Sequence, residues 1–70
     1  MNEQEVIHQL EKKFNFLSNI YFDKMGHNGD LLFSCIDIDK EATLVVDKDG
    51  YVMTKVKGKK FYDVLGSIKL

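Results

Sequence analysis

The chain contains no proline and only one cysteine, Cys35, among its 70 residues. A single cysteine cannot form an intramolecular disulfide, which excludes the small secreted scaffolds that disulfides hold together. Because proline is absent, slow peptide-bond isomerisation should not limit folding. A chain of this length forms one domain, 1–70, and buries only about 60% of its unfolded surface, so we expect a thin margin of stability.

An excess of either charge is also missing, since 10 basic residues face 11 acidic ones and the formal net charge is −1. That balance gives no whole-molecule electrostatic case for nucleic-acid binding. A hydrophobic content of 44% argues against disorder. No apolar run approaches the roughly 20 residues that cross a bilayer, and no basic segment leads into an apolar run as in a secretory signal. We expect a cytoplasmic protein.

Recognisable catalytic and metal-binding motifs are absent as well. The two histidines, His8 and His27, have no serine, cysteine or acid at a spacing that suggests a nucleophile with its base. No G-x-x-x-x-G-K phosphate loop occurs. The acidic group Asp37, Asp39 and Glu41 could attract a cation, but acidic turns are more often only solvated. We expect a protein that is not an enzyme and has no metal site and no cofactor.

The clearest pattern that is present lies in residues 3–24. Apolar residues recur there at spacings of three and four, which predicts a long amphipathic helix; they are Val6, Ile7, Leu10, Phe14, Leu17, Ile20 and Tyr21. Asn2 is placed to cap the helix and Gly26 to end it. The stripe is interpreted as the main core element, and a short coiled coil is the second reading.

After the glycine-containing loop 26–30 the apolar period changes from 3.6 to 2. Three short runs rich in β-branched and aromatic residues predict strands at 31–38, 42–46 and 51–56. Charged turns separate the runs, which favours an antiparallel meander. Residues 58–70 place Phe61, Val64, Leu65 and Ile68 on one side of a short helix. The predicted class is therefore α+β in the order α-β-β-β-α, with the long N-terminal helix packed on a three-stranded meander and a short C-terminal helix.

The stretch DKDG at 47–50 has two readings, half of a calcium loop or the turn of a hairpin. If Gly50 occupied position 6 of an EF-hand loop, positions 1 and 12 would fall on Val45 and Val56, which cannot ligate a cation. The hairpin reading is preferred: Asp47 to Asp49 form a type I turn and Gly50 takes the positive-φ position. This pairing places Val46 opposite Tyr51, with the other pairs being Leu44–Met53 and Ala42–Lys55.

Strand alternation predicts apolar residues on both faces of the sheet. One face would collect Leu32, Ile36, Ile38, Leu44, Val46 and Met53 and receive the long helix. The other would collect Leu31, Phe33, Cys35, Val45, Val52 and Val56. Either the C-terminal helix covers this second face, or a partner does. The first hypothesis is a small non-enzymatic protein-interaction module, an adaptor or inhibitor that acts through a sheet face or edge on another protein or on a second copy of itself, with Phe33, Val45, Val52 and Val56 as contacts.

A basic and aromatic group near the end of the chain supports a second hypothesis, weak nucleic-acid binding. Its residues are Tyr51, Lys55, Lys57, Lys59, Lys60 and Tyr62. Lysines can hold a phosphate backbone while an aromatic ring stacks on a base. A helix beginning at Gly58 would add positive potential from its free N–H groups. The alternative is a solvated lysine face that protects an edge strand from aggregation.

Overall fold

The computed structural model describes residues 2–70 as one helix followed by a five-stranded antiparallel sheet. The elements are α1 (Glu3–Lys13), β1 (Leu17–Met25), β2 (Leu31–Asp37), β3 (Lys40–Val46), β4 (Tyr51–Val56) and β5 (Asp63–Ser67). Each strand pairs with the next, so the order in the sheet is β1-β2-β3-β4-β5. The predicted three-stranded meander and C-terminal helix are wrong. The three runs predicted as strands do form strands, β2 to β4, but they are the centre of a larger sheet.

The helix packs on one face of the sheet, which we call the inner face. Its apolar stripe of Val6, Ile7 and Leu10 is buried, and so is Phe14 directly after it. The inner face is formed by residues that share one side of the paired strands: Leu31, Phe33, Cys35, Ala42, Leu44, Val46, Val52, Thr54 and Val56. Burial of this apolar surface is the main stabilising term of the fold.

The start of α1 agrees with the sequence, but its end does not. The Asn2 side chain accepts a hydrogen bond from the backbone N–H of Glu5 at 2.9 Å, which confirms the predicted cap. The predicted helix over 3–24 is wrong because the helix ends at Lys13 and Phe14 leaves the helical conformation. Residues 17–25 form β1 instead.

A bulge in β1 explains the misleading period. From Ser18 to Tyr21 the chain advances three residues while the partner strand advances two, from Ile36 to Ser34. Asn19 takes φ 51° at this point, a conformation that asparagine tolerates. Since one residue is extra, Leu17 and Ile20 are both buried at a spacing of three, as they would be on a helix.

A bulge in β5 explains the wrong prediction of a C-terminal helix. Val52 pairs with Gly66 and Met53 with Val64, so β5 contributes one residue more than β4 at this step. Leu65 packs against the core and Ile68 is buried, again three residues apart. The apolar spacing that predicted a helix is produced by a bulged edge strand.

The predicted conformation of the β3–β4 turn is confirmed, but its predicted register is not. Gly50 has φ 89°, which confirms the predicted positive-φ position. The Asp47 carboxylate accepts hydrogen bonds from the N–H groups of Asp49 and Tyr51, both at 2.9 Å. The predicted register is wrong by one residue, because Asp47 and Tyr51 also bond through their backbones and Val46 therefore lies opposite Val52.

This error in the β3–β4 register, together with the observed pairing of β2 with β3, changes the sheet face on which several residues lie. Val46 lies opposite Leu31 and Leu44 opposite Phe33, so both belong to the inner face instead of the face with Leu32. Val45 moves to the opposite face for the same reason. A register shift of one residue moves every side chain of a strand to the opposite face of the sheet. An error in the turn therefore changes which residues are predicted on each face.

The segment that follows β5 is held between the β3–β4 turn and the helix. The N–H of Ile68 donates to the carbonyl of Gly50 at 2.8 Å. The side-chain amide of Gln9 donates to the Lys69 carbonyl at 2.7 Å and accepts from its N–H at 3.2 Å, and the Lys13 ammonium group donates to the Ser67 carbonyl. The helix thus supplies hydrogen bonds that a sixth strand would otherwise make.

Replacing Gly50 by alanine tests this arrangement. A Cβ at position 50 would lie 2.2 Å from the carbonyl oxygen of Ile68, and the positive φ would be strained as well. We expect a loss of about 2 kcal/mol or more in the free energy of unfolding. Gly58→Ala is the matched control, since φ is +94° there and no atom lies within 4 Å, so only the strain of about 1 kcal/mol applies. Equal losses in urea titrations would show that the Ile68 segment is not held against Gly50.

A substitution at Ile38 is predicted to increase the stability of the protein, in contrast to Gly50→Ala. This β-branched residue has φ 60° at the tip of the β2–β3 turn, and its side chain is 77% exposed. Ile38→Asn should therefore raise the free energy of unfolding by about 1 kcal/mol, because asparagine tolerates the left-handed region and little packing is lost. A clear decrease in the same titration would mean that the isoleucine side chain contributes contacts that outweigh its strain.

Candidate interaction site on the outer sheet face

The second face of the sheet, the outer face, carries a continuous line of apolar side chains. Leu32 lies opposite Val45, Val45 opposite Met53 and Met53 opposite Val64. We call these four residues the apolar row. Val45 is only 8% exposed, whereas Val64 is 68% exposed. The helix lies on the other face, so within residues 2–70 no helix covers the row.

A shallow hollow opens on the row. Its volume is about 320 Å³ and its lining consists of Asp30, Leu32, Val45, Met53 and Tyr62. Three members of the apolar row and the ring of Tyr62 supply most of its surface. Such a hollow is suited to the aliphatic or aromatic side chain of a partner, which is how anchors of protein interfaces are usually seated.

Beside the row lies a larger concavity of about 580 Å³, which we call the lysine basin. It is lined by side chains and backbone of four strands and the β4–β5 loop: Asn19, Tyr21, Ser34, Cys35, Ile36, Glu41, Ala42, Thr43, Lys55, Val56, Lys57, Gly58 and Lys59. Ser34, Thr43 and Lys55 are two residues along their strands from the apolar row. The two features are therefore about 7 Å apart on one face.

The charged side chains of the basin are held only by weak, exposed contacts. Lys57 lies 3.6 Å from the Glu41 carboxylate and Lys59 lies 3.4 Å from Asp63, with both pairs largely open to solvent. Lys55 is 5.5 Å from the centre of the Tyr62 ring. Exposed ion pairs contribute about 0–1 kcal/mol, so an incoming carboxylate or phosphate can replace either acid at little cost.

The four residues predicted to contact a partner do not form one surface. Phe33 and Val52 are fully buried beneath the helix, and Val56 packs against the same core. Val45 lies on the outer face, in the centre of the apolar row. The surface residues that the sequence reasoning missed are Leu32, Met53 and Val64. The first two had been assigned to the helix-covered face, and the third to a helix.

The residues predicted for nucleic-acid binding lie closer to one another than the four residues predicted to contact a partner. Tyr51 and Lys55 share the outer face of β4. Lys57 follows the end of the strand, Lys59 and Lys60 lie in the loop after it, and Tyr62 lies against Lys55. Tyr51 is at the far end of β4 from Lys57. Gly58 does not begin a helix, so the expected contribution from free helix N–H groups is wrong. Tyr21, on the opposite wall of the basin, had been placed in a helix.

The two edges of the sheet are less suited to strand addition than a regular edge. β1 has register shifts at two points and a positive φ at Asn19. At the end of β5, the Lys13 side chain bonds to the carbonyl of Ser67, the last residue of the strand, and the Gln9 side chain bonds to the carbonyl of Lys69 just beyond it. Bulges and covered edges are common means of preventing edge-to-edge pairing. Of the two surfaces that the sequence suggested, a sheet face or a sheet edge, the geometry favours the face.

Groups that often carry chemistry are dispersed. Across residues 2–70 no three side chains of histidine, cysteine, aspartate or glutamate are grouped to hold a metal ion.

Nor does any helix among residues 2–70 have the length and the apolar composition needed to cross a bilayer. Comparisons with protein-family models, with curated proteins and with solved structures find no match to this chain.

Cys35 is a free, buried thiol on the inner face. Burial raises its pKa from 9.0 to about 11, and the carboxylate of Asp37 on the same strand adds to the effect. Because the unfolded thiol ionises first, its contribution to stability is complete below pH 9.0 and is lost as the pH rises through about 11.

We therefore expect slow alkylation of Cys35 in the native protein and a loss of stability over that alkaline interval. Urea titrations of the wild type and of Cys35→Ala should show a smaller alkaline decrease in the variant, even though the variant starts from lower stability. Identical pH dependence in the two proteins, or rapid alkylation without unfolding, would show that the thiol is exposed.

Proposed function

We propose that the protein is a non-enzymatic protein-interaction module that docks its partner on the outer face of the sheet. The observation that carries the proposal is the apolar row, which runs in register across four strands on the face that the helix leaves uncovered. The antiparallel sheet of a small domain usually presents alternating polar residues to water on such a face. A contiguous apolar line there is typical of an interaction site.

The energetics of docking follow from the same row. Apolar surface removed from water contributes about 25 cal/mol per Å², so covering the exposed parts of Met53 and Val64 would favour association. The partner is either another protein or a second copy of the chain, and a reducing compartment such as the cytoplasm suits the free Cys35 thiol.

Weak nucleic-acid binding is the second candidate function. The observation that favours it is the lysine basin, in which three lysines face Tyr21 across a concave surface and Tyr62 lies against Lys55. Lysines and exposed rings in one groove are typical of proteins that bind single strands. Glu41 and Asp63 offset two of the lysines, which is why this candidate stands second.

Val64→Asp tests the first candidate. The substitution places a charge on the most exposed member of the apolar row, and we expect it to reduce partner binding at least tenfold, because docking would bury the carboxylate. Ile38→Asp is the matched control, since it makes the same kind of change at an exposed residue off the row.

Wild type, Val64→Asp and Ile38→Asp are compared in two ways. Affinity capture after nuclease treatment identifies the proteins that each one retains, and light scattering over a range of concentrations gives the molecular mass of each. Proteins retained by wild type and Ile38→Asp but lost by Val64→Asp would support the proposal, as would self-association with the same dependence. Identical captured proteins and identical masses for all three would exclude the outer face as the site.

A further inference from the structure

We infer, on the basis of the proposed function, that the outer face receives an acidic amphipathic helix of a partner protein: its aliphatic stripe on the apolar row and its carboxylates over the lysine basin. The chemistry of the partner follows from three features that occur side by side on this face: the length of the row, the position of the basin along one side of it, and the presence in the basin of Lys55 without a carboxylate partner among the described residues.

The length of the row fits a short helix. Four paired strands span three spacings of about 4.8 Å, roughly 14 Å in all. A helix rises about 1.5 Å per residue, so about ten residues, or three turns, reach from Leu32 to Val64. The inner face of this sheet already receives a helix of similar size, the 11-residue α1. A partner helix on the outer face would complete a three-layer arrangement in which both sheet faces are covered.

The side of the row on which the basin lies decides which charges the partner carries. Ser34, Thr43 and Lys55 adjoin the row on the side away from the β3–β4 turn. The lining of the basin contains three lysines and the carboxylate of Glu41, which pairs with Lys57, while Asp63 beside the basin pairs with Lys59. Within residues 2–70, Lys55 is the basin lysine that has no carboxylate partner and lies only against the Tyr62 ring. A helix laid along the row places one polar flank above this basin. A carboxylate on that flank would meet the ammonium group of Lys55 and could compete for Lys57 and Lys59, whereas a lysine there would be repelled by Lys55.

Replacing Glu41 and Asp63 by the carboxylates of a partner costs little free energy. Lys57 and Lys59 are bound to Glu41 and Asp63 only at the surface, where screening by water keeps each pair weak. The Asp23 carboxylate at the basin's edge is engaged differently, since it accepts a 2.6 Å hydrogen bond from the Ser34 hydroxyl. The lysines can therefore turn toward an incoming acid without leaving a buried charge unpaired.

Two synthetic helical peptides test the inference on the full-length protein. Both carry the same leucine stripe, and one flank of the stripe is glutamate in the first peptide and lysine in the second. We expect the glutamate peptide to bind at least tenfold more tightly, with an affinity that falls as salt is added. Fluorescence anisotropy of labelled peptides measures both affinities.

Charge reversal in the protein locates the contact. The double variant Lys57→Glu, Lys59→Glu should bind the glutamate peptide about tenfold more weakly, as expected from the loss of two exposed ion pairs, and should gain affinity for the lysine peptide. Lys12→Glu, Lys48→Glu is the matched control, because it makes the same change in net charge on the helix and at the β3–β4 turn. This control should bind like the wild type.

The outcomes separate the inference from the proposed function. Equal affinity for both peptides, or no binding of either, would overturn the inference, and Val64→Asp would still decide the proposed function by its effect on partner capture. A single-stranded oligouridine probe is titrated in parallel. Tighter binding of this probe than of the glutamate peptide, lost in the basin variant but not in its control, would overturn the inference in favour of nucleic-acid binding.

Discussion

Burial of one stripe of α1 against one face of the sheet is the interaction on which the rest of the molecule depends. Val6, Leu10 and Phe14 enter the same core as Phe33 and its neighbours on β2 to β4. A domain of this size has only one such core, so the helix can stabilise one face and must leave the other to solvent or to a partner. The identity of the free surface is thus a consequence of where the helix packs.

The core also explains the arrangement around Gly50. The side chain of Ile68 completes the core beside the helix, and its backbone bonds to Gly50 on one side of the segment while Gln9 bonds to Lys69 on the other. Position 50 therefore serves two purposes: it takes the left-handed conformation of the turn and it leaves space for the Ile68 carbonyl. A glycine that appears from the sequence to be only a turn residue is also a contact point for the end of the sheet.

The parts of the fold that sequence reasoning predicted are the parts with a regular period. β2, β3 and β4 alternate without interruption and are recognised from their composition. β1 and β5 carry bulges, and a bulge brings Leu17 and Ile20, or Leu65 and Ile68, to the buried side at a spacing of three. That spacing is also helical, so periodicity alone cannot distinguish a bulged edge strand from a short helix.

The candidate site was predicted in part for a related reason. The lysines of the basin lie close together in sequence, on one regular strand and the loop after it, so composition was enough to identify them. The apolar row joins one residue from each of four strands, and its recognition needs the register of three pairings. The β3–β4 pairing is set where Asp47 bonds to Tyr51 through the backbone and its side chain also accepts a hydrogen bond from the Tyr51 N–H. An acceptor bond of that kind leaves no periodic trace in the sequence.

The bulges also bear on how the outer face can be used. A bulge adds twist and bends the strand that carries it, and here both edge strands are bulged while the central three are regular. Bending at the two edges is compatible with wrapping the sheet around α1, and it breaks the even row of backbone groups that a new strand would need. The same irregularities thus disfavour strand addition at both edges of the sheet.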